Sequence, residues 1–215
     1  MTEVTANAGH LAGPPGWLRP ALLDRAEQVM ILGLWALMLE RVINADNAFA
    51  PLLIMSETAI AFFVLVRRPT TQISLRLGDW LLAITATAAP LLIFPGAAGP
   101  AILGALAIVL VFVGTCFQLW AKLALRRSFG VAPANRGIKA TGPYRFMRHP
   151  MYAGYLASHI GLIMVMPSFL NAAIYAIAWW AQILRLLAEE RLLSEDPAYR
   201  AFMQTTRYRL IPGLF

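Results

Sequence analysis

Six stretches of this chain are strongly apolar, and each is close to the ~20 residues that carry a helix across about 30 Å of hydrocarbon. They run Glu27 to Ile43, Ala48 to Val66, about Leu77 to Phe94, Ala101 to Ala121, Pro150 to Phe169, and Leu170 to about Leu187. Backbone groups in hydrocarbon find partners most economically within a helix, so the pattern predicts an all-α, polytopic transmembrane bundle. Apolar residues make up 59% of the chain and charged ones 13%, well off the roughly 45–50% and 25% of soluble domains.

The breaks fit that reading. Asn44 to Asn47 suits the turn of an antiparallel hairpin. Arg67-Arg68-Pro69 puts two charges that must stay in water ahead of a helix breaker. Pro95 to Pro100 and Pro167-Ser168 turn the chain without a charge. Lys and Arg fall in alternate loops. Two precede the first span, three follow the second, seven lie between Lys122 and Arg148 and five from Arg185 onward, against Arg41 alone in the other loops. The asymmetry predicts six spans with both termini cytoplasmic, in a cell inner membrane or an endomembrane. A re-entrant hairpin of the last two segments would make five, but parity favours six. Basic residues grouped by loop argue against a nucleic-acid partner. Residues 1–20 read as a flexible or surface-lying tail, not a cleaved signal peptide. Cys116, alone within an apolar run, excludes an internal disulfide and is expected to pack in the core.

Residues 1–121 therefore read as tail and four scaffold helices. Residues 122–215 carry the chemistry: a basic connector, two transmembrane helices and a C-terminal cap. Gly142-Pro143 signals a turn, and Pro150 opens a helix whose N-terminus favours an anionic group. His149, Tyr152, Leu156 and His159 then share one helix face; interfacial anchoring is the alternative use for them. Gln182, Arg185 and Glu189 form a stripe with Glu190 beside it. Charges there need protein, water or ligand, unless Arg185 and Glu189 are a boundary ion pair worth a few tenths of a kcal/mol. Asp196-Pro197 suggests a turn, and Tyr199 with Phe202 a short amphipathic helix. Glu57, midway along the second span, is a functional candidate by default, with buried packing or a Ser/Thr contact as the alternative. His10, His149 and His159 lack the spacing of a zinc site. No Walker loop and no G-x-G-x-x-G opens a helix, so a nucleotide-like ligand would bind outside a Rossmann sheet.

Arg127-Ser128-Phe129, Gly142-Pro143-Tyr144-Arg145, Arg148-His149-Pro150-Met151-Tyr152 with Gly154, Glu189-Glu190, Tyr199 and Arg207 to Pro212 occur in series. This order resembles the isoprenylcysteine carboxyl methyltransferase family, within the wider group of integral-membrane methyltransferases that includes phospholipid methyltransferase-like proteins. The resemblance implies S-adenosylmethionine as methyl donor, wrapped at the cytoplasmic face by the connector, the start of the fifth helix and the tail. It implies cofactor contacts from Tyr144, Arg148, His149, Pro150 and Tyr152, with Glu189 or Glu190 suited to a ribose hydroxyl or amino group. Glu189 and Arg207 or Arg209 would serve the transfer, an arginine facing the acceptor. Eukaryotic members place a basic residue sooner after the tyrosine, whereas Thr205-Thr206 intervene here, so both arginines stay candidates.

The implied partners are membrane lipids and a lipophilic or lipid-modified acceptor entering from the bilayer. Prenylated cysteine, phospholipid amine, small thiol and terpenoid acid all remain open. Two other classes are possible: an NADPH-dependent membrane sterol or steroid reductase of similar fold, and a non-catalytic scaffold that binds neither cofactor.

Overall fold

In a computed structural model, residues 19–44, 50–93 and 101–215 are described. The N-terminal tail with His10, most of the Asn44–Asn47 turn and the Pro95–Pro100 turn lie outside them. Among the described residues the chain is helical, with an isolated antiparallel β-bridge between Ile73 and Ala134.

Among the described residues seven α-helices follow one another: α1 Pro20–Ile43, α2 Ala50–Val66, α3 Leu77–Ala88, α4 Ala101–Leu125, α5 Pro150–Val165, α6 Phe169–Leu193 and α7 Pro197–Thr205. Proline sets several of the ends. Pro20 starts α1 earlier than Glu27, and Pro90 falls where α3 tightens into the 3₁₀ turn Ala89–Leu92. Pro167 ends the fifth segment sooner than expected, because a residue before proline resists the helical region. Ser168 then caps α6, its hydroxyl accepting from Asn171 N at 3.0 Å, so Phe169 belongs to α6 and not to the fifth helix.

These boundaries set which helices are long enough to span. Among the described residues two helical stretches, Gly104–Ser128 and Phe169–Leu193, are long and apolar enough to cross a membrane. At 16 residues, α5 extends about 24 Å, short of ~30 Å of hydrocarbon. The outside is nonetheless greasy: Phe169, Leu77, Val29 and Trp180 are 64–92% exposed. Cys116 is exposed on α4 and not in the core, because the packed face of that helix belongs to Gly114, Thr115 and Gln118.

Charge lies inside. Asp24 and Glu27 of α1 meet Arg67 at the end of α2 and Arg136 of the connector. Arg67 Nη2 is 2.9 Å from Asp24 Oδ1, and Arg136 Nη2 is 2.6 Å from the same oxygen and 3.2 Å from Glu27 Oε2. Glu27 also accepts from Val131 N and, at 3.1 Å, from Ala132 N. The expectation that Arg67 and Arg68 both stay in water therefore fails for Arg67, which is buried with its charge neutralised by two carboxylates; Arg68 is exposed.

Helices α4 and α5 meet backbone to backbone. A Cβ on Gly154 would lie 2.6 Å from Gln118 N and 2.7 Å from Gly114 O, and one on Gly161 2.7 Å from Ala107 O. Backbone atoms cannot swing aside. Gly154→Ala is therefore expected to destabilise by about 1–3 kcal/mol, despite alanine's better helix propensity. Gly33→Ala, with nothing within 4 Å of the added carbon, should stabilise by about 0.5–1 kcal/mol. Thermal unfolding of the two variants in detergent checks the contrast.

Candidate functional site

The connector, the start of α5, the end of α6, α7 and the C-terminal tail converge at one end of the bundle. Residues 70–74 hold the connector on one side: Thr70 Oγ1 donates to Asn135 O at 2.6 Å, and Ser74 N to Pro133 O at 2.9 Å. Asn135 Nδ2 donates at 2.8 Å to Asp196, which caps α7 through Ala198 N. Asp196 titrates below the usual carboxylate range because of these two hydrogen bonds, Asn135's first.

The tail returns along the connector as an extended strap. Arg148 N donates to Tyr208 O at 2.9 Å and His149 N to Arg209 O at 2.8 Å. Glu190 sits under this strap and gathers three side chains. Arg148 Nε lies 2.6 Å and His149 Nε2 3.2 Å from its Oε1, and Arg209 Nε 2.7 Å from Oε2. Both Glu190 oxygens are committed, so the residue works as a clamp.

Glu189 points the other way. Its Oε2 accepts from Tyr152 OH at 2.8 Å, and it lines a cavity of about 50 Å³ with Ser128, Arg136, Tyr144, His149 and Tyr152. No hydrogen bond or ion pair joins it to Arg185. That arginine donates instead to Val131 O at 2.8 Å and Gln182 Oε1 at 3.4 Å, its guanidinium 5.3 Å from the centre of the Tyr152 ring. Burial first, then the charge of Glu189, raises the Tyr144 phenol well above its ordinary value.

From here a row of rings runs down α5. His149 and Tyr152 stack at 5.5 Å, Tyr152 and Tyr155 at 6.3 Å, and Tyr155 and His159 at 6.0 Å. His159 then meets Tyr175 at 4.7 Å. The row leads into a second, larger and mainly apolar cavity of about 420 Å³ among α1 to α6. Met151 lines both cavities. Arg185 and Glu57 line the larger one, and Glu57 lies 3.8 Å from Lys122 Nζ. The carboxylate singled out in α2 thus has an ionic partner on α4.

Residues 102–199 match the model of the phospholipid methyltransferase family. Over those residues the chain is similar to this family. No curated protein gives a significant match to the chain. The family consists of membrane methyltransferases acting on lipid-type substrates. Its matched region begins with α4 and ends in α7, taking in both the Glu189-Glu190 pair and the basic connector.

Within this matched region, Tyr144, Arg148, His149 and Tyr152 reach one cavity, and Pro150 starts the helix that places the last two. Glu189 and Glu190 share the cluster but divide into a lining carboxylate and a clamp. The Arg209 side chain reaches the cluster through Glu190, while its carbonyl accepts from His149 N. The Arg207 side chain is exposed and lines neither cavity, although its carbonyl accepts from Arg148 Nη1 at 3.1 Å. Arg136 is a lining residue that sequence reasoning did not single out. Its placement rests on Asp24, 112 positions away, and no local pattern announces that. Arg185 was visible as part of a stripe, but nothing in the spacing showed that it borders the larger cavity.

Tyr199, buried beneath the strap, is raised by burial, with Glu190 and Glu189 adding to the effect. A tyrosine whose folded value exceeds its unfolded ~10 stabilises fully below pH ~10 and loses that contribution as pH rises toward the folded value. Melting in detergent from pH 8 to 11 should thus show a fall above pH ~10 that is smaller in Tyr199→Phe. Equal slopes would contradict it.

Proposed function

We propose that this protein is an S-adenosylmethionine-dependent methyltransferase. The cofactor lies in the small cavity at a cytoplasmic end of the bundle, and a lipid acceptor enters the larger cavity from the bilayer. The observation that carries this reading is Met151 lining both cavities, so that a polar site and a greasy one meet at one side chain. Six spans, with both termini in the cytoplasm and the basic connector facing it, complete the proposal.

The lining suits this cofactor chemically. Glu189 offers a carboxylate to a ribose hydroxyl or amino group, Tyr144 and Tyr152 offer ring faces to a cation, and Arg136 or Arg148 a charge to a carboxylate. A volume of about 50 Å³ takes only part of such a molecule, so the remainder occupies the mouth or the strap of residues 206–215 gives way. When bound, the cofactor supplies an electrophilic methyl group. The protein orients the two reactants and excludes water, and orientation alone can lower a barrier by several kcal/mol.

Glu189 is the proposed cofactor ligand and Glu190, through Arg148, His149 and Arg209, positions the strap. For the acceptor, Arg185 is better placed than Arg207, because it borders the larger cavity beside Tyr152. A carboxylate or phosphate acceptor group would meet its charge there. A carboxylate is already nucleophilic at neutral pH and needs no base, whereas an amine must surrender a proton.

The test is incubation of the purified chain with lipid extract and deuterated-methyl S-adenosylmethionine, followed by mass spectrometry. A lipid heavier by one labelled methyl, absent with Glu189→Ala, supports the reading. Saturable binding of NADPH in place of the sulfonium compound would favour the reductase alternative, and binding of neither the scaffold.

A further inference from the structure

The wall of the larger cavity is not uniformly apolar. Tyr175 is 2% exposed and Gln182 6% exposed, yet the Tyr175 hydroxyl and Gln182 Nε2 have no hydrogen-bond partner in the protein, and neither has His159 Nδ1. All three residues line this one cavity. They come from two helices: His159 from α5, Tyr175 and Gln182 from α6, with the His159 and Tyr175 rings 4.7 Å apart. Polar groups held in an apolar enclosure lose their solvation and are stabilised by whatever supplies hydrogen bonds there.

We propose that these three groups bind an uncharged oxygen function, a hydroxyl or a carbonyl, carried partway along the apolar body of the lipid. The inference rests on reading this cavity as the acceptor site. Its chemistry follows from the donors present. A phenol and a primary amide can each donate to an oxygen, Gln182 about two turns of α6 beyond Tyr175, and an imidazole nitrogen can accept from a hydroxyl or donate to a carbonyl. His159 and Tyr175 carry no fixed charge, so a carboxylate or phosphate has no counter-ion at their level. The charged groups lie nearer the polar end, Arg185 beside Tyr152 and in contact with Gln182 Oε1 at 3.4 Å, and the Glu57–Lys122 pair beside Tyr155. His159 is seven positions beyond Tyr152 on α5, which sets the oxygen about 10 Å from the reacting end. A plain hydrocarbon chain would leave all three groups unmet; an oxygenated one would satisfy them and fix how deep the lipid sits.

Trp35 and Trp179 line the same cavity, so tryptophan fluorescence of the full chain in detergent reports its occupancy. Stearic acid is titrated against a positional set of hydroxystearic acids, and diacyl against ether-linked dialkyl phosphatidylethanolamine. The native chain should bind one hydroxy isomer, or the diacyl lipid, about tenfold more tightly than its oxygen-free counterpart, or ~1.4 kcal/mol. The first arm identifies a chain hydroxyl and the second an ester carbonyl as the oxygen recognised. Tyr175→Phe should reduce the preference and Tyr175→Phe/Gln182→Leu should abolish it. Circular dichroism and the melting midpoint show whether each variant is folded, and the single change removes only one oxygen if the double variant is not. No preference in either arm, or a preference undiminished in a folded variant, would overturn the proposal and leave water as the partner of these groups. Oxygen preference without S-adenosylmethionine binding would instead discard the methyltransferase reading and keep this site.

Discussion

Glu190→Gln should lower affinity for S-adenosylmethionine by about 100-fold, or ~2.7 kcal/mol, and destabilise the fold by about 3–5 kcal/mol. The carboxylate is buried and touches two arginines and a histidine, from the connector and from the tail. An amide keeps the shape but loses the charge, leaving Arg148 buried against a neutral dipole. The tail then has less reason to stay on the connector, and His149 loses the partner that aims its ring along Tyr152. Arg207→Ala is the matched comparison: its side chain is exposed, so stability should change by less than about 0.5 kcal/mol. Calorimetric titration and thermal melting of both variants check this. Equal losses in the two would mean that the clamp is not what shapes the site.

The second large effect is expected outside the matched family region. Glu27→Gln takes one of two acids from a buried set of two acids and two arginines, leaving Asp24 alone against Arg67 and Arg136. The same carboxylate receives Val131 N and Ala132 N, and the connector between Gly130 and Arg136 forms one side of the small cavity. Loss of about 3–5 kcal/mol is expected, along with weaker cofactor binding although α1 contributes no residue to that cavity. Urea unfolding of the variant measures the first and calorimetry the second. The N-terminal half is then more than scaffold, since it holds the connector in place.

Local chemistry was readable from the chain; remote pairing was not. Pro150 after Arg148-His149 marks a helix start, and Asp196-Pro197 marks the cap of α7, because those signals act within a few residues. Glu189 and Glu190 were visible as a pair, but helical spacing turns consecutive residues about 100° apart. Only the tertiary arrangement assigns one to the cavity and the other to the strap. Arg67 misled for the opposite reason. Two arginines before a proline look like a water-facing loop, and the partner that draws one of them inside lies 43 positions earlier in α1. Gly154 and Gly161 stand seven positions apart and so share a face of α5, a spacing that went unread; they allow the helix to lie on α4, and that contact sets where Tyr152 and His159 fall.

The account stands on the cofactor lying between connector and strap. Hydrogen–deuterium exchange of the full chain, with and without saturating S-adenosylmethionine, tests this most directly. Protection is expected in residues 128–152 and 185–215, with α1 to α3 little changed. Protection confined to α1 to α3, or none at a saturating concentration, would contradict it.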